Sequence, residues 1–98
     1  MILEQLQEAI NEFLIRGNKI EDTIIKMGAE FYDEFVESCQ SQMNITIKEI
    51  SYFMGIPVTE TNYLKANQCL LINYKRILEN GNDNNKLNMV ILEKLKYH

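Results

Sequence analysis

The chain has no tryptophan, one proline, one histidine and two cysteines in 98 residues. Each scarcity removes a class of chemistry. The histidine is His98, at the end of the sequence, where chains usually fray. A nucleophilic triad needs a base held by packing, so His98 is a poor candidate. Cys39 and Cys69 lie thirty positions apart, with no Cys-x-x-Cys spacing. They read as two small, reduced, buried hydrophobes, and they supply too few ligands for a Cys/His metal site. Gly17, Gly28, Gly55 and Gly81 stand singly, so there is no phosphate-cradling glycine loop. The adjacent Asp33 and Glu34 would point about 100° apart on a helix, as a solvated pair does. The expectation is therefore a protein with no catalytic centre, no metal and no cofactor. No apolar run approaches the roughly 18 residues of a membrane span. Met1-Ile2-Leu3-Glu4 has neither the basic start nor the apolar stretch of a secretion signal. A cytoplasmic protein without a membrane partner is expected.

The 46% apolar and 24% charged fractions suit a folded chain, and the length suits one domain over 1–98. The net charge of -4 is unevenly placed. Residues 1–44 hold nine acids and three bases, while residues 45–98 hold five acids and seven bases. An acidic half of -6 thus precedes a half of +2.

Apolar spacing predicts an all-α bundle of about five helices, at 2–15, 20–42, 47–54, 60–79 and 86–96. Residues 1–44 would form an acidic helical pair. Leu3, Leu6, Ile10 and Phe13 mark the first stripe, and Ile24, Met27, Phe31, Phe35 and Cys39 the second. Gly28 inside that second run suggests close approach of a neighbouring helix, or a kink. Thr46-Ile47-Lys48-Glu49 has the form of a capping box. Alternation over Asn44 to Lys48 offers a strand as the alternative there. Ile56-Pro57-Val58 reads as extended. Thr59 would cap the long helix at 60–79.

Thr46 to Lys65 has the layout of a capped helix, a glycine turn at Gly55 and a second helix. Ser51 lies four residues before that glycine, and Ile50, Met54, Ile56 and Leu64 occupy apolar positions. Over these twenty residues the chain resembles the helix-turn-helix superfamily of DNA-binding domains. The resemblance implies a recognition helix entering the major groove, in a transcriptional regulator acting as a dimer. Lys48, Thr59, Thr61, Asn62, Lys65 and Gln68 are the candidate contacts to double-stranded DNA.

A second reading is a protein-interaction module that binds no DNA. Glu30, Asp33, Glu34 and Glu37 would face a basic protein partner, while Cys69 and Ile72 would make the long helix apolar enough to sit in a homodimer interface. The chain is rich in Ile, Lys and Asn and has only two arginines, as in AT-rich bacterial or phage genomes. A small phage- or plasmid-type modulator or inhibitor of a host protein would fit this reading.

Overall fold

The structure, a computed structural model, describes residues 2–42, 52–75 and 89–93. These residues form two α-helices and a five-stranded mixed sheet. Helix α1 (Ile2–Ile15) is followed by a single 3-10 turn (Ile20–Asp22), strand β1 (Thr23–Met27) and helix α2 (Ala29–Gln42). Then come β2 (Tyr52–Phe53), β3 (Ile56–Glu60), β4 (Gln68–Asn73) and β5 (Met89–Glu93). The strand order is β2-β3-β1-β4-β5. β1 and β3 are parallel, and α2 lies in the crossover that a parallel pair requires. The other pairings are antiparallel.

The all-α bundle is overturned by this sheet. The helix expected at 2–15 is present as α1. The helix expected at 20–42 is a strand followed by a shorter helix. Of the helix expected at 47–54, Tyr52 and Phe53 are strand, Met54 is turn, and the earlier part lies outside the described residues, as does the alternating stretch 44–48. The helix expected at 60–79 is the end of β3, a loop at 61–67 and β4, with only Tyr74 and Lys75 helical and 76–79 outside the described residues. The last expected helix, 86–96, contains β5.

The reason lies in the strand sequences. Ile24-Ile25, Leu70-Leu71-Ile72 and Val90-Ile91-Leu92 are consecutive apolar residues. A strand apolar on both faces does not alternate, and its short run cannot be told from a buried helix by period.

One core lies between the helices and one face of the sheet. Leu6, Ile10 and Phe13 of α1 and Phe31, Phe35 and Cys39 of α2 enter it from above. Ile25, Met27, Ile56, Val58, Cys69 and Leu71 meet them from the strands. Val90 and Leu92 of β5 pack against the same cluster. Phe35 meets Phe53 edge to face, with ring centroids 5.5 Å apart. At one rim the Asn73 amide Nδ2 donates to Asn18 Oδ1 at 2.9 Å, and Asn18 Nδ2 donates to the Phe13 carbonyl at 2.9 Å. This buried amide pair ties the end of α1 to the end of β4.

Two local features decide the topology. Met54 and Gly55 have φ of 54° and 80° and join β2 to β3. Two positive φ values in a two-residue connection are the signature of a type I′ hairpin turn. Gly55 is therefore a hairpin glycine, and the helix-turn-helix turn expected there is replaced by strand pairing of Phe53 with Ile56. Gly28 sits where β1 gives way to α2. Its amide donates to the Gln68 carbonyl at 2.8 Å, and the Phe31 amide donates to the Ala66 carbonyl at 2.8 Å. A Cβ on Gly28 would collide with the Lys65 carbonyl and lie 2.8 Å from that of Ala66. The close approach expected at Gly28 is thus real, but the neighbour is the 61–67 loop.

Candidate interaction surfaces

The sheet presents two faces because side chains alternate along each strand. Register assigns them. Ile25, Met27, Cys69 and Leu71 face the helices, so Ile24, Lys26, Leu70 and Ile72 face the other way. On β5, Val90 and Leu92 face the helices, so Met89, Ile91 and Glu93 join the second face. Tyr52 lies opposite in sense to buried Phe53 and falls on this second face too.

Among the described residues, no helix or strand packs on that second face. Ile24 pairs with Ile72, Ile72 with Met89, and Leu70 with Ile91, which makes one apolar strip across three strands. Ile91 is 55% exposed and Tyr52 63%. Lys26 and Glu93 are the charged side chains there among the described residues. Gln68 Nε2 donates to Glu93 Oε1 at 3.2 Å, which fixes the carboxylate on this side of β5.

The helical layer is different in kind. α1 and α2 contain seven acids and no base. Glu4, Glu8 and Glu12 of α1 and Glu30, Asp33 and Glu37 of α2 are exposed, while Glu34 is half-buried. Of the acidic residues singled out in the sequence, Glu30, Asp33 and Glu37 thus share the solvent side of α2.

The candidate DNA contacts are not gathered on a helix. Thr59 is exposed on β3, and Gln68 opens β4. Thr61, Asn62 and Lys65 lie in the 61–67 loop, with Asn62 and Lys65 exposed. The Thr61 amide is tied to the Met27 carbonyl at 2.8 Å, and Thr61 Oγ1 accepts from the Tyr63 amide at 3.3 Å. Lys48 lies outside the described residues. The same loop lifts Tyr63 to 96% exposure, a feature not singled out by the sequence pattern.

Cys69 and Ile72, expected together on one outward helical stripe, are separated by the strand period. Cys69 is fully buried beneath the helices, and Ile72 is on the second face. Burial pushes the Cys69 thiol up to about 12 and also raises Cys39. A thiol so held is protonated and inert near neutral pH.

Among the described residues, no group of three or more His, Cys, Asp or Glu side chains is placed to hold a metal ion. No helix among them is long and apolar enough to cross a membrane. Comparison with protein families, curated proteins and solved structures finds no match to this chain.

Proposed function

We propose that the protein is a non-enzymatic protein-interaction module that works through the second face of its sheet. One observation carries this reading: Ile24, Leu70, Ile72, Met89 and Ile91 form an apolar strip with no described element over it. Ile91 is exposed and Ile24, Leu70, Ile72 and Met89 are half-buried beside it, and the largest apolar patch of a monomer, about 300–600 Å², is often its functional surface. The acidic helical layer sets what can approach from the other side. Exposed acids of both helices, Glu4, Glu8, Glu12, Asp33 and Glu37 among them, repel a phosphate backbone and attract a basic protein surface. A basic partner on α2, met by Glu30, Asp33 and Glu37, is the second reading, and the clustering of those acids favours it.

A photo-reactive residue tests the first reading by position. It is placed at Ile91 in one protein and at Glu8 in another, and cells making the chain are irradiated. Protein adducts should form from position 91 in excess of position 8. No adduct from 91, or equal yields from both, contradicts the reading. Duplex DNA titrated at low salt separates it from the regulator reading. No binding is expected. Binding that falls steeply with salt would favour DNA as the partner.

A further inference from the structure

The outer edge of β5 is a surface apart from the second face, and backbone hydrogen bonding defines it. The Gly28 amide donates to the Gln68 carbonyl, so Gln68, Leu70 and Ile72 turn their backbone groups toward β1. Cys69 and Leu71 then turn theirs toward β5, where they meet Leu92 and Val90. The amides and carbonyls of Met89, Ile91 and Glu93 are left pointing outward, and no described strand pairs with them. The Glu93 carbonyl fits this direction, because it accepts from Gln5 Nε2 of α1 at 3.1 Å. Gln5 closes only that end of the edge. Sheet edges are usually blunted by lysine, by proline or by brevity, and Met89–Glu93 contains neither residue. We infer that this edge takes an extended segment of a basic partner protein, added as one more strand whose apolar and basic side chains alternate.

Helix α1 sets the charge of that partner. Gln5 ties its start to the end of β5, and Asn18, just past its end, is bonded to Asn73 at the end of β4. α1 therefore lies lengthwise over these two antiparallel strands. Glu8 and Glu12 follow Gln5 at three and seven residues, on the same side of the helix, and both are exposed. They overhang the space beside β5, and α1 contains no base. In an added strand, residues opposite Val90 and Leu92 point toward the helical layer, and residues opposite Met89 and Ile91 point toward the second face. Lysine or arginine suits the first set, beneath Glu8 and Glu12. An aliphatic residue suits the second set and prolongs the apolar strip. A second copy of this chain fits poorly, since edge-to-edge pairing sets the acids of one α1 beside those of the other.

The probe is a blocked peptide that alternates valine and lysine over about seven residues, enough to span β5. It is titrated into the full chain at low salt while amide hydrogen exchange is followed by NMR. Binding should protect the Ile91 amide, whereas the Val90 and Leu92 amides are already protected in the free chain. A peptide of the same composition with its lysines grouped at one end should bind about tenfold more weakly. Glu8→Gln combined with Glu12→Gln should weaken the alternating peptide about fivefold. Ile91→Pro removes an outward amide and spares the pairing with β4, so it should abolish binding and keep the fold. The exchange pattern of the wild type decides the matter even if that variant fails to fold. No binding at about 1 mM peptide overturns the inference, as does equal affinity for the two peptides or for the glutamine variant. An Ile91 amide that stays unprotected in the complex, or binding that survives Ile91→Pro, overturns it too. A peptide that shields the Ile91 side chain but not its amide belongs to the second face, and removes the edge inference while leaving the docking reading in place.

Discussion

Leu70 and Leu71 are neighbours in β4, identical in chemistry and opposite in fate. Leu71 is sealed beneath the helices, and Leu70 looks out from the other side of the sheet. The same contrast runs through Ile25 and Ile24 and through Val90 and Ile91. On the helix side, apolar residues meet α1 and α2, and the charge is carried outward by acids on the helices. On the other side, the sheet keeps an apolar strip with no described element opposite it. A solvated antiparallel face ordinarily carries polar residues, in alternation with the core face. The departure from that alternation locates the surface assigned to binding.

Paired substitutions break the comparison most sharply. Leu71→Ala should cost about 3 kcal/mol by denaturant unfolding, as deletion of a sealed core side chain does. Leu70→Ala, at a half-buried position, should cost less, about 1–2 kcal/mol. Equal costs would mean that both faces are covered. Gly28→Ala tests the seam between loop and helix. The collision with the Lys65 and Ala66 carbonyls predicts a loss of about 2 kcal/mol, even though alanine favours helices. An unchanged or raised melting temperature would show that the 61–67 loop does not clamp the start of α2.

Cys69 gives the helix side a pH signature. The native state keeps its thiol protonated to about 12, whereas an unfolded thiol releases its proton near its ordinary value of 9. Above that value the native state binds more protons, so stability falls as pH rises. Between pH 9 and 11, the wild type should lose stability more steeply than Cys69→Ala, by up to about 1.4 kcal/mol per unit. Parallel curves would place the thiol in contact with water. The smallest effect is at the hairpin. Met54 holds a φ of 54°, which strains a side chain that is not glycine or asparagine. Met54→Asn should raise stability by about 0.5 kcal/mol, and a loss would argue against the type I′ turn.

The sequence made some of this legible. Helix α1 follows from the four-residue spacing of Leu6 and Ile10 and from its one-sided polarity, because an amphipathic helix buried on one side writes its period plainly. Ile56-Pro57-Val58 reads correctly as extended. The acidic stripe of α2 is legible too, since exposure of Glu30, Asp33 and Glu37 follows from the burial of Phe31 and Phe35. The strands were obscured by the feature that matters most. Leu70-Leu71-Ile72 lacks alternation because both faces of β4 are apolar, so the strand imitates a helix segment. The hairpin was hidden by Met54, where asparagine would have signalled the turn. Gly55 and Thr46-Ile47-Lys48-Glu49 then offered a competing local pattern. Pairing of β1 with β3 and β4 depends on contacts distant in sequence, which local spacing does not record.

Methyl-labelled protein with a soluble paramagnetic agent measures the central claim directly, at a dilution where sedimentation shows a monomer. Ile15, 84% exposed, reports an open methyl, and sealed Ile25 reports a protected one. The account predicts that Ile91 broadens with Ile15 while Ile25 does not. Protection of Ile91 in the dilute monomer, at the level of Ile25, would show the second face already covered and would contradict its assignment as a binding surface.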